Sequence, residues 1–338
     1  MVKGSAPNPV RLAIIGAGIF ARETHTPALL RLAERFQVVA VCSRGGESAA
    51  ALAQQFGADV AVVATPAEVL ARDDVDAVDI VLPIDAQAPV VADALRSGKH
   101  VISEKPIAPD SATAQALIEL HSAQTGQVWM VAENWRYEDA YVRAAEVVKS
   151  GVLGRILTVH LTHFAPMTPA NKYYKTAWRR AGGFPGGFLV DGGVHNAAIL
   201  RLIAGEVDSV TAFTTQANAD LPPVDTLGAA LRFASGALGV YLNTYAAGTP
   251  FNAPLTLVGS QGSLRVERGR LEITRNDGKV ETEVLPAMTG VQHELAAFAD
   301  AIQFGVPHRN TPQEALRDLQ LIEAMLRAAN ERIATNIL

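Results

Sequence analysis

Continuous apolar runs organise the first part of the chain. Leu12-Ala13-Ile14-Ile15 is followed by similar runs within 37–43, 59–65, 77–82, 99–103 and 127–132. A strand buried on both faces reads this way, because neither face calls for polar positions. Between the runs lie helix-compatible segments at 22–36, 47–56 and 87–98, and one opened by Thr65-Pro66-Ala67-Glu68. Thr65 offers a capping hydroxyl there, and proline suits the first helical position. Strands alternating with helices predict a parallel sheet with right-handed crossovers, an α/β domain.

Past Gly151 the pattern changes from runs to alternation. Period-two segments stand at 155–164, 207–216, 226–233, 237–245, 255–258, 263–267, 271–274 and 280–285, with turns such as Ala234-Ser235-Gly236 and Asn276-Asp277-Gly278. Short alternating strands joined by such turns predict an antiparallel sheet. Helices are expected at 139–150, 189–204, 293–303 and 311–333, the last opened by the capping box Thr311-Pro312-Gln313-Glu314. Its apolar positions Leu316, Leu319, Ile322, Leu326 and Ala329 trace one core-facing stripe. The boundaries that follow are a disordered lead-in at 1–9, an α/β domain at 10–133 and an α+β domain at 134–338.

Composition narrows the partners more than the fold. At 338 residues the chain exceeds what one compact core normally holds, which agrees with two domains. Its 49% hydrophobic and 19% charged residues are those of a globular protein in water. A net charge of −5 weighs against nucleic acid or an anionic membrane as partner, leaving a small molecule. The single cysteine, Cys42, can form neither an intramolecular disulfide nor a cysteine-built metal site. No metal is expected. Without a membrane-length apolar stretch, or a signal-like core in 1–9, the chain is expected to be cytoplasmic.

Candidate chemistry begins where the first apolar run ends. Gly16-Ala17-Gly18-Ile19-Phe20-Ala21 follows the strand and opens the helix, the order a dinucleotide needs. Gly16 permits the turn and Gly18 admits the pyrophosphate. Ala21 keeps the helix close, and N–H groups at Ile19 and Phe20 begin a helix that faces the phosphates. This is a Rossmann-type, doubly wound arrangement. Past the second strand the cofactor-selecting place holds Ser43-Arg44 instead of an acid, which suits a 2′-phosphate and predicts NADP(H) over NAD(H). Leu82, Pro83 and a loop reaching Gln87 leave the fourth strand at the carboxyl edge, where ligands sit in such sheets. Glu104-Lys105-Pro106 leaves the fifth strand at the same edge, with proline restricting Lys105 to extended backbone.

The order of three motifs, Gly16 to Ala21, then Ala77 to Pro83, then Ala94 to Pro106, resembles the Gfo/Idh/MocA oxidoreductases, the glucose–fructose oxidoreductase, inositol dehydrogenase and rhizopine-catabolism group. The resemblance implies that Lys105 points at nicotinamide and substrate, that its bond to Pro106 is often cis, and that Glu104 adjoins the cofactor. It also implies an open second sheet whose free face pairs subunits into a homo-oligomer, dimer or tetramer. Many members carry Asn then His in the loop after the fourth strand. This chain departs from them with Ile84-Asp85-Ala86-Gln87.

In the second domain Asp191 and His195 follow the glycine-rich stretch from Gly182 to Gly187, four residues apart. On one helix they share a face, where a carboxylate can orient an imidazole and raise its basicity. The family pattern, glycines then Asp then His four later, implies the same pair. By the resemblance Arg136, Tyr137, Tyr173, Trp178 and Arg179 wall the substrate pocket. The remaining histidines, His160 and His163 among them, are expected to be structural or exposed.

Together these readings predict an NADP(H)-dependent oxidoreductase moving hydride between nicotinamide and a hydroxyl- or carbonyl-bearing carbon of a sugar, polyol or related small molecule. Lys105 and His195 are the candidates for proton transfer, with Asp191 orienting. Two rivals stand beside it: a noncatalytic NADP(H)-binding regulator, and a hydrolase or eliminating enzyme that retains its cofactor.

Overall fold

A computed structural model describes residues 8–181 and 185–331. Most of the expected lead-in, Gly182 and Gly183, and the end of the last helix fall outside them. Asn8, expected in the lead-in, is tied down through its carbonyl, which accepts from Gln303 Nε2 at 2.9 Å. The chain forms two units: one holds the residues up to Asn134 together with Val291–Glu314, the other Trp135–Gly290 and the residues from Ala315 onward.

In the first unit the apolar runs become six parallel strands, β1 (Val10–Ile15), β2 (Phe36–Cys42), β3 (Ala61–Val63), β4 (Ala77–Ile80), β5 (His100–Glu104) and β6 (Trp129–Ala132). Their order is β3-β2-β1-β4-β5-β6, the Rossmann order, which reverses direction between β1 and β4. Helices α1 (Thr26–Arg31), α2 (Gly46–Ala53), α3 (Pro66–Leu70), α4 (Ile84–Arg96) and α5 (Ser111–Ser122) connect them. Thr65 caps α3 as expected, accepting from the Glu68 N–H.

Three local expectations are corrected here. The first helix ends at Arg31 and not near Phe36, because Phe36 is a buried β2 residue stacked on Phe298 at 6.5 Å. Its opening is a wide π-helical turn, Ala21–His25. Of the stretch from Pro83 to Gln87, expected as a loop, Pro83 precedes α4 and Ile84 to Gln87 form its first turn; Ile84, Gln87, Ala88 and Val91 are buried at helical spacing. The tail helix α10 (Gly290–Phe304) belongs largely to the first unit. Its Val291, Leu295, Phe298 and Ala299 share a core with Val10, Leu12 and Phe36.

The second unit carries an eight-stranded sheet ordered β14-β13-β12-β11-β7-β10-β9-β8. Its strands are β7 (Ile156–Phe164), β8 (Val207–Thr215), β9 (Thr226–Phe233), β10 (Leu238–Thr244), β11 (Phe251–Gly259), β12 (Gly262–Glu267), β13 (Arg270–Arg275) and β14 (Val280–Val284). All neighbours run antiparallel except β7 and β10. The helices of this unit are α6 (Asp139–Lys149), α7 (Ala177–Arg180), α8 (Phe188–Asp191), α9 (Gly193–Ala204) and most of α11 (Pro312–Glu331). Alternation buries Val159, Leu161 and Tyr241 on one face and leaves Phe213, Leu238 and Val240 exposed.

Two glycines of the dinucleotide motif play separable parts. Gly16 sits at φ +115°, and a Cβ there would lie 2.1 Å from the Val81 carbonyl oxygen. A Cβ on Gly18 would meet nothing within 4 Å. Gly16→Ala is therefore expected to destabilise the protein by more than about 3 kcal/mol, through overlap and backbone strain. Gly18→Ala should stay within about 0.5 kcal/mol of the parent. Denaturant unfolding of the cofactor-free protein measures both, and equal stability of the two variants would contradict this division.

Candidate active site

In the first unit the predicted cofactor residues stand at the carboxyl edge of the sheet. The Gly16 N–H donates to Cys42 O at 2.8 Å, fixing the turn against β2. Gly18 is exposed, and Ile19 and Phe20 begin the helix behind it. This open cradle, with helix N–H groups at its rim, fits a pyrophosphate. Ser43 is half-buried, its hydroxyl 3.4 Å from that of Ser48. Arg44 is exposed and makes no hydrogen bond or ion pair among the described residues. Burial, and then Glu68, push the Cys42 thiol up, so it rests protonated.

The Glu104-Lys105-Pro106 turn is held from several sides. Its Lys105–Pro106 peptide is cis, as the resemblance implied. Gln87 is 1% exposed, and its Nε2 donates to the carbonyls of Glu104, at 2.6 Å, and Pro106, at 3.0 Å. Read as a cofactor contact, Gln87 here braces the turn. The Lys105 N–H donates to Glu104 Oε2 at 3.2 Å.

A buried polar cluster behind this turn was missed by sequence reasoning. His25, wholly buried, lies between two carboxylates, with Nδ1 2.8 Å from Asp79 Oδ2 and Nε2 3.0 Å from Glu104 Oε1. Burial alone would lower the His25 pKa; the Asp79 and Glu104 carboxylates outweigh it and hold the group well above the usual imidazole range. Glu294 from α10 is also wholly buried, and Asn310 Nδ2 donates to its Oε2 at 3.3 Å. Burial first, then the neighbouring Glu104 carboxylate, push the Glu294 acid well up, so that it keeps its proton. One signal was available: Asp79 is a carboxylate inside the apolar run from Ala77 to Leu82, and a buried charge requires a partner.

In the second unit Arg179 gathers three of the other predicted residues. Its Nε donates to Asp191 Oδ2 at 2.7 Å, and its guanidinium lies 4.1 Å from the Trp178 ring and 4.9 Å from the Tyr173 ring. The expected continuous helix is instead α8 and α9 with Gly192 between them. A Cβ at Gly192 would sit 1.8 Å from the Tyr245 hydroxyl. Glycine is what lets that ring approach. Asp191 thus ends one segment, bound by Arg179, whereas His195 lies in the first turn of the next.

His195 stacks face to face on Trp135, centroids 4.9 Å apart at 9°, and the Arg268 guanidinium lies 4.6 Å from the same indole. Trp135, His163 and Asn196 also line a cavity of about 240 Å³. Burial, then the charges of His195 and Arg268, push the His163 imidazole down to about 4, leaving it neutral. Arg136 and Tyr137, expected in the pocket wall, are both buried. Arg136 is held inward by Asp318, which accepts two Arg136 bonds, at 2.6 and 2.7 Å, and one from Arg201 at 2.6 Å. A bidentate pair of this kind satisfies the fork of the guanidinium inside the protein.

Among the described residues no helix is long and apolar enough to cross a membrane, and no cluster of side chains is arranged to hold a metal. Residues 10–132 match the model of the oxidoreductase family's NAD-binding Rossmann fold, and 145–335 match its C-terminal alpha/beta domain. The chain is 34% identical to dehydrogenase FPY6 of Fusarium mangiferae, covering 95% of this chain and 96% of that one. It is 26% identical to inositol 2-dehydrogenase of Rhizobium meliloti, over 96% and 98%. An oxidoreductase structure from Thermotoga maritima superposes with a TM-score of 0.88 at 35% identity, over 95% and 97%. With both halves matched in order along one chain, the protein belongs to the Gfo/Idh/MocA family of oxidoreductases and is an NAD(P)-dependent dehydrogenase or reductase.

Proposed function

We propose that the protein is an NADP(H)-preferring dehydrogenase or reductase of a sugar, polyol or related carbonyl compound. The observation that carries the cofactor preference is Ser43-Arg44 at the end of β2, where Arg44 is exposed and unpaired among the described residues. A guanidinium can meet a phosphate dianion with two parallel hydrogen bonds. Bound nicotinamide supplies a hydride, or accepts one, at the carbon next to the substrate oxygen.

The chain's own residues then manage binding and the proton. Asp191, fixed by Arg179, offers a carboxylate to a substrate hydroxyl, and Tyr173 and Trp178 offer aromatic faces beside it. That mixture suits a polyhydroxylated ring, and the relative from Rhizobium meliloti, an inositol 2-dehydrogenase, supports the same class. Lys105 and His195 handle the hydroxyl proton, which must be removed on oxidation and returned on reduction. The exposed Phe213, Leu238 and Val240 on the open face of the second sheet support a homo-oligomer, a dimer or tetramer. Sedimentation velocity should give at least twice the chain mass, and a monomer at micromolar concentration would remove this part of the reading. A buried, protonated Cys42 fits a cytoplasmic setting.

Arg44→Ala should weaken NADP(H) by roughly 10- to 100-fold, the loss of one charge-assisted contact of about 1.5–3 kcal/mol, and leave NAD(H) nearly unchanged. Calorimetric titration of both cofactors measures this. Equal losses, or tighter NAD(H) binding by the parent, would overturn the preference.

Lys105→Met should lower turnover by roughly 10²–10⁴-fold, the usual contribution of a positioned acid or base, with cofactor affinity almost intact. His195→Ala should lose a similar or smaller factor. The double variant should lose less than the product of the two if both serve one step. Normal turnover by Lys105→Met would refute its assignment.

A further inference from the structure

We propose that His25 is a positioning residue for Lys105: as an imidazolium braced between Asp79 and Glu104, it locks the Glu104 carboxylate that holds the Lys105 backbone. The inference rests on the reading of Lys105 as a proton-transfer group.

Hydrogen-bond accounting leads to it. An ionised carboxylate only accepts, and a neutral imidazole donates from one nitrogen alone. His25 meets a carboxylate at each nitrogen, at 2.8 and 3.0 Å, so both bonds form only if both nitrogens carry hydrogen. The groups that face the cluster are Asp79 from β4, Glu104 from β5, Glu294 from α10 and Glu133 beyond β6. With Glu294 protonated, the positive imidazolium has negative neighbours and no cationic competitor among these groups. Its proton is thus retained above the ordinary imidazole range and leaves only as the pH rises through the elevated value.

The consequence for the turn follows atom by atom. Glu104 Oε1 is taken by His25, which leaves Oε2 aimed at the Lys105 N–H. Gln87 fixes the carbonyls on either side of Lys105. The half-buried lysine therefore leaves a backbone restrained at its own N–H and at both flanking carbonyls. The wide turn from Ala21 to His25 brings the imidazole inward, with the Thr26 hydroxyl donating to Ala21 O at 2.9 Å and the Phe20 ring 5.3 Å away, edge-on. Without the imidazolium the Glu104 carboxylate loses its second anchor, and Asp79 and Glu104 lose the positive charge that lies between them.

Nitrogen-15 spectra of histidine-labelled protein, free of cofactor, read the protonation state directly. His25 should show both ring nitrogens protonated at pH 8. Asp79→Asn keeps an acceptor for Nδ1 but removes its charge, so His25 should lose its proton at least about one pH unit lower. In turnover assays Asp79→Asn and His25→Gln should each lower kcat by roughly 10- to 100-fold, with little change in substrate KM or cofactor Kd. The alkaline limb of the kcat profile should move to lower pH in Asp79→Asn, a shift that a merely structural role would not produce. A neutral His25 at pH 8, or an unmoved profile in Asp79→Asn, overturns the inference while Lys105→Met remains impaired. Normal turnover by Lys105→Met instead overturns the underlying reading, and the two failures are thereby told apart.

Discussion

Burial of charge behind the carboxyl edge of the first sheet is the constraint on which the candidate site most depends. An imidazole and two carboxylates wholly or almost wholly removed from water are tolerable only if each finds its partner, since an isolated buried ion costs several kcal/mol even after relaxation. The fold meets that demand with groups from separate elements: His25 from the wide turn after the glycine motif, Asp79 from β4 and Glu104 from β5. Glu294 completes it by staying protonated, which keeps one more negative charge out of a dry place. A lysine delivered by Glu104-Lys105-Pro106 is therefore mounted on a rigid base. Loops without such bracing are drawn from the low-stability end of a structure.

The second unit solves a similar problem with guanidinium groups. Asp318 lies between Arg136 and Arg201, all three nearly inaccessible, and links the segment after β6 to α9 and α11. Arg179, by contrast, keeps part of its surface open while holding Asp191 and stacking against Trp178. One arginine type thus serves as a buried internal cross-link and as a partly exposed clamp on a carboxylate, and its partner decides which. The stacking of His195 on Trp135 fixes the plane of the imidazole.

Much of this was legible in the sequence because the signals were local. Apolar runs and alternation locate the strands of both sheets, and Gly16 and Gly18 mark the turn. Thr65 capped its helix as read. What escaped depended on distant partners. Phe36 joined β2 because Phe298, far along the chain, packs on it, and α10 joined the first unit for the same reason. Arg136 turned inward because Asp318 awaited it. Gly192, between α8 and α9, is glycine because Tyr245 occupies the space a side chain would need. His25 fell among the histidines expected to be structural or exposed, since no spacing rule connects it to its partners Asp79 and Glu104. Sequence periodicity reports which face is buried, but not which polar group will be met there.

The central claim, net hydride transfer, is tested most directly by isotope. NADPH carrying deuterium at the transferred C4 position, incubated with the enzyme and a panel of ketoses, aldoses and inosose-type ketones, should yield a product heavier by one mass unit at a carbinol carbon. Oxidised cofactor should appear in equal amount. A substrate converted without deuterium gain, with the label returned to the nicotinamide or washed into water, would contradict the account and favour chemistry in which the cofactor is retained.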